Sequence, residues 1–189
     1  MGRGTDEIKL SILIPTLESR QTQFDSLTEK LNALAIDLPV EFCTMCDNGN
    51  LTIGAKRNRL IEMAAGEYVA FIDDDDQVSD DYFEQLFDGI GKGVDCCSLV
   101  GEITVNGKHP KRFEHSIRFD HYFENGSVYY RPPNHLNCIK RDLVKDIRFP
   151  EKDFGEDTDW AMEVCRSGRL KYEHHISDTI YFYKYNSKK

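Results

Sequence analysis

Tyr68-Val69-Ala70-Phe71-Ile72-Asp73-Asp74-Asp75-Asp76 is the stretch whose reading decides the fold. Five apolar residues read as a buried strand, and they run straight into four adjacent carboxylates. Asp is a poor strand residue, and four neighbouring negative charges repel one another. In a parallel α/β sheet the carboxyl ends of the strands face the ligand crevice. The acids therefore stand where a ligand would. A hard divalent cation relieves such repulsion and takes oxygen ligands. Asp73 and Asp75 lie two apart, so an extended chain points both side chains the same way. The competing reading is a solvated acidic turn before a helix, where acids suit the dipole.

Working outward, the flanking segments supply the rest of an α/β unit. Lys9 to Pro15 is a short apolar run read as a buried strand. Phe24, Leu27, Leu31 and Leu34 recur at helical spacing and predict a helix over 22–35. Val40 to Cys46 reads as a second strand, followed by a turn cluster at 47–50. Ile53 to Ala65 predicts a helix, with Gly66 as its stop. After the acids, Ser79 is expected to cap a helix with Asp80 and Asp81 in its first turn and an apolar stripe of Phe83, Leu86, Phe87 and Ile90. The order β-α-β-α-β-α implies a parallel sheet.

Beyond residue 93 the pattern changes. Val94 to Val105 is expected as one strand, with a hairpin signal at Asn106-Gly107. Residues 113–135 are aromatic-rich and read as irregular. Leu136 to Ile139 is expected as a further strand, a helix is expected from Glu156 to Gly168, and Leu170 to Tyr185 has strand composition. No linker or repeat divides the chain, so one domain is expected over 1–189. Its first half, about 8–105, would hold a nucleotide, and about 106–189 would serve the acceptor.

The bulk numbers agree with one globular unit. The 189 residues are 40% apolar and 30% charged, and 33 acids against 24 bases leave a net charge of −9. That balance argues against a nucleic-acid partner. No apolar run is long enough for a membrane span. The polar start and Asp6, where myristoylation wants Ser or Thr, make a cytoplasmic location the expectation. Among the six cysteines, Cys43-x-x-Cys46 lacks a second ligand pair, so core or surface thiols are expected rather than zinc.

Several short segments, in order, resemble the family 2 glycosyltransferases of GT-A fold. They are Ser11 to Thr16, Asp47-Asn48-Gly49, Gly54 to Asn58 with Ala65 to Asp76, and Gly155-Glu156-Asp157. The resemblance implies a GT-A-like, Rossmann-type mixed sheet flanked by helices. It implies an inverting enzyme that moves a sugar from a nucleotide-diphosphate sugar, UDP-sugar foremost, to a glycan or other hydroxyl acceptor, with Mn²⁺ or Mg²⁺ as cofactor. Carried over by position, Pro15, Thr16 and Glu18 would line the nucleotide, and Asp47 would accept from the base. Lys56 and Arg57 would lie near base or diphosphate, unless they form a solvated helix face. Asp73 would approach the ribose and the metal, Asp75 would bind the metal, and Asp74 and Asp76 would support either job.

Glu156-Asp157-Thr158-Asp159 is the second acidic site. It resembles the family's catalytic carboxylate motif, which makes Asp157 the expected general base and Glu156 an acceptor or sugar contact. The plain alternative is helix capping, with Asp153 and Glu156 as a capping box. Between the two acidic sites, His121 to Asn137 mixes aromatic and polar groups suited to a sugar groove or to a packed loop, and His135 is a candidate metal ligand or diphosphate contact. Many relatives carry a late His that helps hold the metal. Asn186 stands at that place here, with His174 and His175 upstream as alternatives. A sugar-nucleotide nucleotidyltransferase is disfavoured because residues 15–20 contain no glycine. A non-catalytic carbohydrate- or cation-binding module is disfavoured by the intact acids.

Overall fold

The computed structural model describes residues 7–185. The comparison of Asn186 with a late His therefore lies outside the described residues. The elements run β1 (Leu10–Leu17), α1 (Gln21–Leu34), β2 (Val40–Asp47), α2 (Ile53–Met63), β3 (Tyr68–Phe71), β4 (Gln77–Val78) and α3 (Tyr82–Gly91). They continue with β5 (Cys96–Cys97), β6 (Leu99–Val105), β7 (Lys108–His115), β8 (Phe123–Asn125), β9 (Val128–Arg131) and β10 (Ile139–Lys140). The last are α4 (Glu156–Ser167), β11 (Glu173–His174) and β12 (Tyr181–Tyr185).

Two six-stranded mixed sheets result, ordered β11-β5-β10-β3-β1-β2 and β4-β12-β6-β7-β9-β8. In the first, β1 pairs in parallel with both β2 and β3, as the βα repeat predicts. β10 inserts antiparallel between β3 and β5. Strands from both halves of the chain enter both sheets, which is the mixed α/β class expected.

The two-residue period of a strand explains why the first sheet carries helices on both faces. Leu10, Ile12 and Ile14 of β1, with Tyr68 and Ala70 of β3, pack on one side against Leu27 and Leu31 of α1 and Phe83 and Leu86 of α3. Leu13, Val69 and Phe71 point the other way, onto Leu60 and Ile61 of α2 and Trp160 and Val164 of α4. Trp160 stacks on Phe149 at 4.6 Å between ring centres and donates its indole N–H to Ile147 O. Truncating such a ring costs about 3–5 kcal/mol. Cys43 joins this second core while Cys46 is exposed. Three residues apart on a strand, the two face opposite ways.

Several boundaries differ from expectation for identifiable reasons. α2 ends at Met63, and Gly66 is not its stop. A Cβ on Gly66 would lie 2.6–2.9 Å from Ser11 and Leu10, so glycine lets the chain enter β3 hard against β1. Ser79 does not cap α3 with its side chain. Its hydroxyl donates to Asp81 at 2.5 Å, and the helix begins at Tyr82, so Asp80 and Asp81 precede the first turn. The expected strand 94–105 splits at Ser98 into β5 and β6, which belong to different sheets. The Asn106-Gly107 hairpin forms as read, with positive φ at both positions. The segment read as irregular, 113–135, carries the end of β7 and all of β8 and β9.

Candidate functional site

The carboxyl ends of β1, β2 and β3 open on a cavity of about 770 Å³, and the second sheet closes its other side. Both acidic motifs reach it. Asp73, Asp74 and Asp75 arrive from the end of β3, and Glu156 and Asp157 from the start of α4. Pro15, Thr16, Lys56, Arg57 and His135 also line it. Glu18 does not. It is exposed in a short 3-10 turn, Glu18–Arg20, and Arg20 faces the cavity in its place. Asp47 is not among the lining residues either, although its neighbours Gly49 and Leu51 are.

The acidic run divides by alternation. The Asp74 side chain is 1% exposed. It accepts hydrogen bonds from Thr16 Oγ1 at 2.7 Å and Arg20 at 2.6 Å, which fixes the end of β1. Asp76 is also buried and accepts from the Tyr181 hydroxyl at 2.8 Å and the Lys184 N–H at 2.9 Å, tying β3 to β12. Burial, and then the neighbouring Asp73, push its carboxyl well above the usual range. Asp73 and Asp75 are half-buried and face the cavity. Burial alone would raise the Asp73 carboxyl, but the Arg57 guanidinium and then His135 outweigh it and hold it low. Asp75 lies 3.5 Å from Arg20.

Lys56 and Arg57 are not a solvated helix face, since both are buried. Lys56 donates to Thr16 O at 2.7 Å and pairs with Asp47. That ammonium, more than the backbone N–H of Leu51, holds the Asp47 carboxyl down to about 2. Arg57 bridges Asp73, at 3.1 Å, and Glu156, with the Phe71 and Phe149 rings within 6 Å of its guanidinium. One buried cation thus joins the two acidic motifs. Gly54, one turn earlier, permits this approach, because a Cβ there would sit 1.9 Å from Pro150 O.

The capping alternative for the second motif does not hold in the form stated. The residue preceding α4 is Gly155, with φ +74° and no side-chain cap. Asp153 instead accepts from the Ile53 N–H at 3.0 Å, at the start of α2. Glu156 is engaged by Arg57, which leaves Asp157 as the half-buried carboxylate of this motif on the cavity wall. His174 and His175 lie on other business. The first pairs with Asp88 and the second approaches Ser98, and neither lines the cavity.

Three charged or titratable lining residues are not singled out by the sequence, although Arg131 falls in the 121–137 segment. They are Arg20, His115 at the end of β7 and Arg131 at the end of β9. His115 and Arg131 stand opposite each other in the parallel β7–β9 pair. His115 is buried, and its Nδ1 lies 3.3 Å from Asn137 Oδ1. Burial, then Arg131, push its pKa down to about 3, so the ring is neutral. The Arg131 guanidinium lies over the rings of Tyr122 and Tyr129, and no carboxylate pairs with it among the described residues. Both ring nitrogens of His135 and Nε2 of His115 are buried without a hydrogen-bond partner among the described residues.

Chemically, the cavity offers carboxylates at two points, a cation shared between them, orphaned His135 nitrogens beside β3 and an orphaned His115 nitrogen on the facing wall. No group of three His, Cys, Asp or Glu residues is arranged to hold a metal among the described residues. Nor is any helix among them long and apolar enough to cross a membrane.

Comparison with known proteins places this arrangement. TarS of S. aureus in complex with UDP-GlcNAc superposes with a TM-score of 0.68 at 16% identity, covering 96% of this chain and 60% of that one. Its UDP complex gives 0.66 at 17% identity, with 93% and 60% covered. EpsH of Bacillus subtilis (strain 168) is 43% identical over 61 residues, 31% of this chain and 18% of EpsH. The chain thus spans only part of the relatives it matches, and the structural likeness speaks for the fold. A family model described as Glycosyl transferase family 2 matches residues 25–149, well over half of the sequence. The chain belongs to glycosyl transferase family 2.

Proposed function

We propose that this chain transfers a sugar from a nucleotide-diphosphate sugar, UDP-sugar foremost, to a hydroxyl acceptor, with inversion and with help from a divalent cation. The observation that carries the reading is the convergence of two acidic motifs, at 73–76 and 156–157, on one cavity at the ends of parallel strands. Family membership and the UDP-bound neighbours support the donor class.

The residues present fit a shared cation. Asp75 faces the cavity, and the unpartnered His135 Nε2 lies 3.9 Å from Asp73. With no three-ligand cluster, the cation would take its remaining oxygens from the diphosphate, as Mg²⁺ commonly does. Asp75 would hold it, with Asp73 and His135 beside it. When bound, it supplies positive charge to the departing diphosphate.

The chain's own residues then divide the work. Pro15 and Thr16 form the nucleotide end, kept in place by Asp74 and Lys56. Asp47, held by Lys56 and Leu51, shapes the turn beside the base. Asp157 takes the proton of the acceptor hydroxyl as its oxygen bonds to the anomeric carbon. The bond from that carbon to the diphosphate oxygen breaks, and the nucleoside diphosphate leaves with the electron pair. Glu156 and Arg57 hold the start of α4 against the end of β3, which keeps Asp157 on the cavity wall. A smaller groove of about 280 Å³, lined by Tyr122, Phe123, Tyr129 and Tyr130, shares Arg131 with the cavity and suits a glycan acceptor.

Titration calorimetry with UDP, in Mn²⁺ or in EDTA, tests the donor end. Asp75→Ala is expected to weaken cation-dependent UDP binding at least tenfold, about 1.4 kcal/mol. Equal UDP affinity in Mn²⁺ and EDTA contradicts the shared cation.

A further inference from the structure

The orphaned nitrogen of His115 has a chemistry that its neighbours determine. Asn137 is oriented without ambiguity, because its two other partners are backbone groups. Its Nδ2 donates to Cys97 O at 2.9 Å, and its Oδ1 accepts from the Asn134 N–H at 3.0 Å. The same oxygen faces His115 Nδ1 at 3.3 Å, so Nδ1 must be the nitrogen that carries the hydrogen. In a neutral imidazole the other nitrogen then holds a lone pair. His115 Nε2 is therefore a hydrogen-bond acceptor in a cavity-lining residue, and it makes no hydrogen bond among the described residues, although the Asn134 side chain stands near the ring. A buried acceptor left unmade is costly, and a ligand that supplies a donor recovers that cost.

Which part of a ligand meets it follows from chemistry and order. Phosphate and carboxylate oxygens at neutral pH have no proton to give, whereas sugar hydroxyls and acylamino N–H groups do. A nucleotide sugar lies base, ribose, diphosphate, sugar. The nucleotide end is at the ends of β1 and β2, and the diphosphate end is at Asp73 and Asp75. His115 lies across the cavity from them, on the second sheet beside Arg131.

We propose that His115 Nε2 accepts a hydrogen bond from a hydroxyl or amide N–H of the transferred sugar, making His115 a determinant of donor-sugar selection. This rests on the nucleotide-sugar reading above. The ring is fixed by Asn137 and by Phe113, whose centre lies 4.9 Å away, so the acceptor is presented in one position.

The test uses titration calorimetry with UDP, UDP-glucose and UDP-GlcNAc in Mn²⁺, on the wild type and three variants. His115→Leu removes the acceptor. His115→Asn keeps a donor for Asn137 but does not reach the position of Nε2. His115→Gln places an oxygen near that position. UDP affinity is expected to stay within about twofold in all three, because UDP lacks the sugar. The UDP-sugar that the wild type binds best is expected to lose about 5–10-fold in the Leu and Asn variants, the worth of one hydrogen bond, and to be largely retained in the Gln variant. An unchanged ratio of UDP-sugar to UDP affinity in Leu and Asn overturns the assignment. So does equal weakening of UDP and UDP-sugars, which marks a structural role. A wild type that binds none of the three nucleotides breaks the donor reading itself, and the role of His115 falls with it.

Discussion

At the end of the first sheet, Asp73 and Asp74 already hold partners from the chain itself, though both ring nitrogens of His135 beside them do not, whereas on the wall built by the second sheet His115 Nε2 has no hydrogen-bond partner and Arg131 no counter-charge among the described residues. Both walls bury polar groups, but to different ends. A buried carboxylate with its own cation is satisfied and holds shape. A buried acceptor without a donor is satisfied only by what enters the cavity. On the proposed function, the paired carboxylates set the geometry of the donor end and His115 reads the transferred sugar.

That contrast breaks most visibly at Arg57. Arg57→Leu leaves Asp73 and Glu156 without their shared cation. It is expected to cost about 3–5 kcal/mol in chemical denaturation, as breaking a buried ion pair does. A loss under about 1 kcal/mol, the worth of an exposed pair, would mean that solvent reaches the bridge and that the paired carboxylates are not rigidly held.

The Asp47–Lys56 pair sharpens the comparison by pH. Asp47 titrates at about 2 because of Lys56, below the ordinary carboxylate value of 3.8. Its contribution to stability is therefore fully present above about pH 4 and is lost as pH falls through about 2. Lys56→Met is expected to return the Asp47 midpoint to about 4, followed by carboxyl NMR. A midpoint unchanged in the variant would assign the low value to the Leu51 and Gly49 N–H groups instead.

Glu18 gives the smallest effect. It is exposed and outside the cavity, so Glu18→Ala should change stability by less than about 0.5 kcal/mol and leave UDP affinity unaltered. A clear loss of UDP affinity would restore it to the nucleotide end.

How legible each wall was in the sequence follows the same division. The centre of the first sheet could be read because β1 and β3 are apolar runs and the acids after β3 are contiguous. Tyr68 to Asp76 carries the strand, its end and its charge in nine letters. The convergence of the 73–76 and 156–157 motifs was legible from a family resemblance, but the Arg57 bridge that joins them was not, since a Lys-Arg pair on a helix looks the same buried or solvated. The second sheet was largely hidden. Lys108 to His115 is mostly polar and has no clean alternation, and it is a strand only because β6 and β9 pair with it. His115 and Arg131 are 16 residues apart in a stretch without a motif, and only the register of two parallel strands brings them together. Gly66 misled for a related reason: its need is a close approach to Ser11, which no local pattern records.

Two distant acidic motifs share one cavity, and in the proposed function Asp157 acts on the acceptor while the donor is held elsewhere. Asp157→Asn tests it most directly, because it keeps the shape while removing the base. Sugar transfer is expected to fall by about 10²–10⁴-fold, with UDP affinity and melting temperature essentially those of the wild type. Turnover within about threefold of wild type, far short of the effect of a positioned base, contradicts the account.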